Sequence, residues 1–336
     1  MRFYQMAVQP HRAAGAGPIT KEPNGNVREV STLDGFKMLK LINVDRVDVR
    51  RSVSDKDDCY ALLSCQKDLA EMNGTKCIEK YLKGGYIQML RLHVNGNRID
   101  QIIYCFYGKY SVGYRFKGVV NFDACEAATQ TLGDHSFFGV MTWGRVKALE
   151  LAVDVVGHSA SDYLYLMRGT KSSFVCRNEA MDGYSFYVGN RLSAVQFVAY
   201  DKSQERRDKK LSCQFNRRLR LEMRIQNRSE SLDYIIAEMA CDDPFERLCV
   251  VELATALSFG AGLVDWPLFI SACQMYGVAA ALKQFPSHRK TFRKYLESLA
   301  IQQLQPAAKL FCKPLRLILP YSPVWDVLAS KTNFLH

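Results

Sequence analysis

Several motifs are missing from this sequence, and each absence narrows the chemistry. No G-x-x-x-x-G-K-S/T occurs, which argues against an ATP-driven P-loop motor. No G-x-S-x-G occurs, which removes the serine nucleophile elbow. The eleven cysteines include no C-x-x-C pair. The Cys59/Cys65 and Cys241/Cys249 spacings are too wide and irregular for a zinc signature. The six histidines include no H-x-H, so the two-histidine metal site in that form is missing. No apolar run is long enough to span a membrane. The N-terminal stretch has no apolar core followed by a small-residue cleavage site. These absences give the expectation of a cytoplasmic protein with reduced, mostly buried thiols. No internal repeat or low-complexity tract is present.

What is present is a chain of 336 residues, enough for one large domain or two ordinary ones. Hydrophobic residues make up 48%, so a sizeable core is available. The formal net charge of +11 favours an anionic partner, and nucleic acid is the usual one.

Three regions are expected. Residues 1–34 are rich in Pro and Gly with little apolar periodicity and read as a flexible tail. Residues 35–228 read as sheet-rich. Residues 229–336 read as helical. The fold class is therefore α+β, an antiparallel-sheet core with packed helices followed by a helical C-terminal region. Helices are expected over 58–81, 123–132 and within 159–178. In the C-terminal region they are expected over 231–240, from Asp243-Pro244 to about Phe259, over 265–282 and from Ser287, with a short one over 324–330. Residues 85–122 read as a meander of about three strands, turned at Asn95-Gly96-Asn97 and Gly108-Lys109. Lys109, Arg115 and Lys117 interleave there with Tyr110 and Tyr114. Such a face can hold single-stranded DNA, or it can be a sheet edge with snorkelling cations. The basic cluster about Lys283, Arg289, Lys290, Arg293 and Lys294 is open in the same way, as a DNA contact or a solvated face.

The stretch from Tyr187 to Gln226 organises the rest. Tyr187-Val188 ends a strand, and Gly189-Asn190-Arg191 turns, since Gly and Asn accept positive φ. Ala194 to Lys202 returns as a strand with Val198, Tyr200 and Lys202 on one face. Further on, Leu219, Leu221, Met223 and Ile225 share one face, and Arg218, Arg220, Glu222 and Arg224 the other. An earlier strand, Leu149 to Val155, places Glu150 and Asp154 opposite a wholly apolar face. Acids on so apolar a strand need a partner, because an unpaired buried carboxylate is costly. Mg²⁺ or Mn²⁺ is one partner, with oxygen ligands. Glu150 and Asp154 lie about 13 Å apart along a strand, so one of them joined by Glu222 is the workable ion site. Arginines such as Arg220 or Arg224 are the other partner, and both remain open.

Four short motifs in order, E-L-A-V-D, Y-V-G-N-R-L-S, V-A-Y-D-K-S-Q-E and R-L-E-M-R, resemble the replication initiation factor family over about residues 40–230. That family includes rolling-circle initiators of plasmids and phages, and relaxases of integrative conjugative elements. Glu150 stands where its pattern has Asp, and Asn190 where it has Ser. Phe197-Val198 lacks the arginine often found before the tyrosine. The resemblance implies a metal-dependent nicking and joining endonuclease that initiates rolling-circle replication through a 5′-phosphotyrosine. It places Mg²⁺ or Mn²⁺ at Glu150, Asp154 and Glu222, and makes Tyr200 the first candidate nucleophile with Tyr187 second. Lys202 and Glu205 become supporting groups, and Arg191, Arg220, Arg224, Lys109, Arg115 and Lys117 the DNA contacts. The implied partner is a replication origin, single-stranded or supercoiled. The helical region could contact DNA, dimerise or recruit a host helicase. A conjugative relaxase and a DNA-binding protein without cleavage are the competing readings.

Overall fold

The computed structural model describes strands between residues 27 and 120, then residues 144–178, 183–208, 215–226, 228–260 and 262–301, with a few isolated positions elsewhere. Among these residues the fold is α+β. An eleven-stranded antiparallel sheet runs in the order β3-β4-β5-β6-β2-β7-β12-β11-β10-β9, and β1 pairs with β2 beside that path. The strands are β1 (Val27–Leu33), β2 (Phe36–Val53), β3 (Lys76–Lys80), β4 (Tyr86–Val94), β5 (Asn97–Tyr107), β6 (Tyr114–Val120), β7 (Arg145–Val156), β9 (Ser173–Asn178), β10 (Gly183–Val188), β11 (Val195–Asp201) and β12 (Arg218–Gln226). A second, two-stranded sheet joins β8 (Tyr163–Met167) to β13 (Leu248–Glu252). The helices are α1 (Lys202–Asp208), α2 (Leu232–Cys241), α3 (Leu253–Phe259), α4 (Trp266–Tyr276), α5 (Val278–Gln284) and α6 (Arg289–Ser298).

The long strand β2 explains how the two halves of the large sheet become one. Its first part pairs with β1, its last part with β6, and its middle with β7. From β7 onward the alternation of side chains decides what lies on each face. One face carries Leu149, Leu151, Val153 and Val155, then Leu219, Leu221, Met223 and Ile225, then Phe197 and Ala199, all buried. The β8 strand lies against it. Tyr165 packs on Phe186 and Phe197, with ring centroids 5.1 and 5.9 Å apart. The Tyr165 hydroxyl donates to the Ala160 carbonyl at 2.9 Å.

The helices build a further core on the small sheet. Leu164, Leu166, Cys249 and Val251 meet Trp266, Phe269, Ile270 and Phe292 in one buried cluster. Trp266 Nε1 donates to the Ala256 carbonyl at 2.7 Å, which satisfies the one polar atom this ring brings inside. A Cβ on Gly260 would lie 1.7 Å from Trp266 Cδ1, so only glycine leaves room for the indole.

Several expectations change. Residues 27–33, expected in the tail, form β1 in register with β2. The segment expected as a helix within 159–178 is a short 3₁₀ turn at Ala160–Asp162 followed by β8 and β9. All five β8 residues are buried, so a continuous apolar run marks a strand covered on both faces rather than a helix. The helix expected from Asp243-Pro244 to Phe259 is interrupted in the same way. A 3₁₀ turn at Pro244–Arg247 leads into β13, whose Val250 and Val251 are β-branched, before α3 begins. The C-terminal region thus adds a strand beside β8 and is not purely helical. The helix expected over 265–282 is divided at Gly277, where φ is +81°. Lys76–Lys80, at the end of the helix expected over 58–81, is the strand β3. The rest of that helix, like the short one at 324–330, lies almost wholly outside the described residues. The helix at 123–132 lies wholly outside them. The three strands of the meander, the helix at 231–240 and the fourth helix stand as expected, while the expected turns at 95–96 and 108–109 lie outside the described residues. Of the cysteines with described side chains, Cys249 and Cys273 are buried, and burial raises both thiols above their usual pKa. Cys176 and Cys241 are exposed instead. Among the described residues no helix is long and apolar enough to cross a membrane.

Candidate active site

The second face of the same strands carries the site. Antiparallel register fixes which side chains stand together. Tyr200 is opposite Arg220, and Arg220 is opposite Asp154. Val198 is opposite Glu222, and Arg224 is opposite both Gln196 and Glu150. On the outer side, Ser185 pairs with Tyr200 and Cys176, and Tyr187 with Val198 and Phe174. One continuous surface therefore runs from the buried acid of β7 to the edge strand β9.

Its inner end is an arginine-clamped carboxylate. Asp154 is fully buried at 0% exposure, and Arg220 is 3% exposed. Arg220 Nε donates to Asp154 Oδ1 at 2.6 Å and Arg220 Nη2 to Oδ2 at 2.9 Å. Arg218 Nε donates to Oδ2 at 2.7 Å, and Arg218 Nη2 also reaches that oxygen. Burial alone would raise the carboxyl pKa. Arg220 first and Arg218 second outweigh it, and hold Asp154 below the usual carboxylate value.

The centre is a tyrosine on a second buried carboxylate. Glu222 is 1% exposed. Its Oε2 accepts a hydrogen bond from the Tyr200 hydroxyl at 3.1 Å, and its Oε1 accepts one from Arg224 Nε at 2.5 Å. Burial disfavours the charged Arg224, but Glu222, Glu150 and Tyr187 outweigh that and raise its pKa above the ordinary value. Strand β11 ends at Asp201 and α1 starts at Lys202, so Lys202 is helical and not the strand residue its alternation suggested. Its Nζ lies 5.7 Å from the Tyr200 ring centroid and 2.6 Å from Glu205 Oε2. Asp201 ties this junction down, with Oδ1 accepting from Ser159 Oγ at 2.7 Å and from Ala160 N at 2.8 Å.

The outer part is an open cleft of about 440 Å³, lined among others by Arg177, Tyr184, Tyr187, Tyr200, Glu205 and Arg224. Two other tyrosines, Tyr163 and Tyr165, lie on β8 away from it. Burial is the first cause that raises both hydroxyls above their usual pKa, which leaves them poor nucleophiles.

The expected residues are thus brought together unevenly. Tyr200, Tyr187, Glu205, Arg224 and Glu222 meet at the cleft or its floor, with Lys202 beside them. Arg220 sits in the buried clamp beneath. Arg191 lies exposed in the turn at the opposite end of β11 from Tyr200, where its carbonyl accepts from Gln226. Lys109 falls outside the described residues, while positions 115 and 117 lie two apart on β6, beyond β2 from β7. Glu150, Asp154 and Glu222 share a face but are not gathered into one ligand cluster. Among the described residues no group of three or more His, Cys, Asp or Glu has metal-holding geometry. Both oxygens of Asp154 and both of Glu222 already face arginine or tyrosine donors, so these carboxylates do not fit a preassembled Mg²⁺ or Mn²⁺ site. The arginine bridges left open by the sequence are the ones formed.

Arg218, Asp201 and Phe174 were missed as site residues. Arg218 had a visible signal, since it alternates with Arg220 on the face of Glu222. Phe174 had only the S-F-V-C-R-N alternation of a segment read as part of a helix.

No protein-family model matches the sequence, and none of the curated proteins matches it. Among solved structures, a rolling circle replication initiator protein from Geobacillus stearothermophilus aligns with a TM-score of 0.38 and 15% identity, over 61% of this chain and 80% of that one. A likeness at this level carries no inference about the chemistry of the present chain, which is read from its residues.

Proposed function

We propose that this protein nicks and rejoins a single DNA strand through Tyr200, as an initiator of rolling-circle replication. The observation that carries the reading is the Tyr200 hydroxyl at the cleft, hydrogen-bonded to the buried Glu222 carboxylate. The motif order and the net positive charge support it. In the reaction, Tyr200 Oη attacks a phosphodiester phosphorus and its proton passes to Glu222 Oε2. The bond from phosphorus to the 3′-oxygen breaks. The leaving oxygen takes a proton and becomes a free 3′-hydroxyl, while the 5′-phosphate stays on the tyrosine. Reversal of the same step rejoins the strand. Arg224 holds Glu222 in place and, with Arg177, offsets the phosphate charge. Mg²⁺ or Mn²⁺ remains an expectation of the motif resemblance alone, and no step is assigned to it. A conjugative relaxase would use the same step.

The arginine bridges on Asp154 and Glu222 favour a second reading, a DNA-binding protein that does not cleave. Acids neutralised by built-in cations do not repel a polyanion, so they need not signal catalysis.

Incubation with supercoiled DNA carrying the gene and its flanks, with Mg²⁺, with Mn²⁺ and with chelator, separates these readings. A nick with protein on the 5′ end, lost in Tyr200→Phe, is the expected result. Loss in Tyr187→Phe instead would move the nucleophile. Binding without a nick under all three conditions would establish the second reading.

A further inference from the structure

The cleft has an aromatic margin that the nicking chemistry does not use. Phe174 on the edge strand β9 and Tyr187 on β10 are register partners. Their rings are parallel within 6°, with centroids 4.5 Å apart. Phe174 is 41% exposed, and Tyr187 lines the cleft. The stack is therefore open to solvent on its outer side and continuous with the cleft on its inner side. Cations flank it. Arg177, one strand position beyond Cys176, places its guanidinium 5.4 Å from the Tyr184 ring centroid and also lines the cleft. Arg224 lies within electrostatic reach of Tyr187.

We propose that the Phe174–Tyr187 pair is a stacking platform for an unpaired base of a single-stranded nucleic acid. A solitary exposed phenylalanine would need no explanation. An ordered parallel pair beside guanidiniums is the arrangement that binds single strands, because every base offers a π-face and every nucleotide a phosphate. A duplex cannot use it, since the faces of its bases are already stacked on one another. Tyr187 is opposite Val198, two residues from Tyr200 on β11, or roughly 7 Å along the strand. A base on the platform thus sits within a nucleotide or two of a phosphate held at Tyr200. Tyr187 acts here through its ring and not through its hydroxyl, a positioning role distinct from the one its sequence context suggested. The inference rests on the nucleic-acid reading of the cleft but not on cleavage.

The test is fluorescence anisotropy of the full chain in chelator at fixed salt. The probes are a labelled short oligothymidylate, the same backbone without bases, and a short duplex. Phe174→Ala, Phe174→Leu and Tyr187→Ala are each expected to weaken oligothymidylate binding roughly tenfold. Phe174→Leu keeps apolar bulk at an exposed position, so it guards against a folding defect, which thermal unfolding monitors directly. Tyr187→Phe restores the binding lost in Tyr187→Ala. The base-free probe binds wild type and Phe174→Leu alike, as does the duplex. Wild-type affinity of Phe174→Leu and Tyr187→Ala for oligothymidylate overturns the platform, and so does an equal loss on all three probes. Loss of oligothymidylate binding in Phe174→Leu, with no Tyr200-dependent nick in the wild type, would leave the platform standing and remove only the cleavage reading.

Discussion

The two faces of β7, β12 and β11 are made from the same strands and differ in nearly everything else. One face buries only apolar side chains, from Leu149 to Phe197. The other buries Asp154, Arg220 and Glu222 almost as completely. Apolar burial is favourable by itself, at about 25 cal/mol per Å². Burial of charge is not, and requires the matched donors that Arg218, Arg220, Arg224 and Tyr200 supply. The apolar face explains why the sheet is stable, and the charged face needs a reason beyond stability. The nucleic-acid cleft proposed above would give that reason.

The comparison is sharpened most by removing one partner of the buried clamp. Asp154→Ala removes the carboxylate that Arg218 and the buried Arg220 both meet, and is expected to cost about 3–5 kcal/mol in chemical denaturation. Phe197→Ala on the opposite face is expected to cost a similar amount, about 3–5 kcal/mol, from lost transfer energy and a cavity. Similar losses from single changes hide opposite causes, and a double change separates them. Asp154→Leu with Arg220→Met removes both charges together and is expected to restore much of the stability lost in Asp154→Ala. If the double variant is as unstable as the single one, the charged face is a structural core in its own right and the comparison fails.

Acid gives a smaller effect with a defined sign. The folded pKa of Asp154 lies below its unfolded value. Its contribution to stability is therefore fully present above the unfolded carboxylate pKa and is lost as pH falls through the folded pKa. The denaturation midpoint should fall as pH drops below the ordinary carboxylate range, and fall less steeply in the Asp154→Leu, Arg220→Met variant. The smallest expected effect belongs to an exposed pair. Arg217 meets Asp162 at 2.6 Å, but the two side chains are 55% and 40% exposed. Arg217→Ala should cost at most about 1 kcal/mol, less at high salt.

Much of this was legible in the sequence where the period of the pattern was long and clean. Alternation over Leu149–Val155 and Leu219–Ile225 assigned both faces of β7 and β12 before any geometry. The Gly189-Asn190 pair placed the turn between β10 and β11, and Gly189 has φ +101°. Short apolar runs were not legible, because Tyr163–Met167 and Leu248–Val251 have no period that separates strand from helix. Which cation meets which acid was also hidden. The alternation offered three arginines to three acids: the register puts Arg220 opposite Asp154, but Arg218 reaches the same acid from a neighbouring position and Arg224 bonds Glu222 on its own strand. Phe174 escaped because its partner Tyr187 lies thirteen residues on, across a strand pairing that the sequence reading did not contain.

The most direct test of the central claim is mass spectrometry of the protein after reaction with supercoiled DNA bearing its gene, followed by nuclease and protease digestion. The account predicts a nucleotide adduct on the peptide that contains Tyr200, at that side chain. An adduct on Tyr187, or nicked DNA with no adduct on any tyrosine, would contradict it.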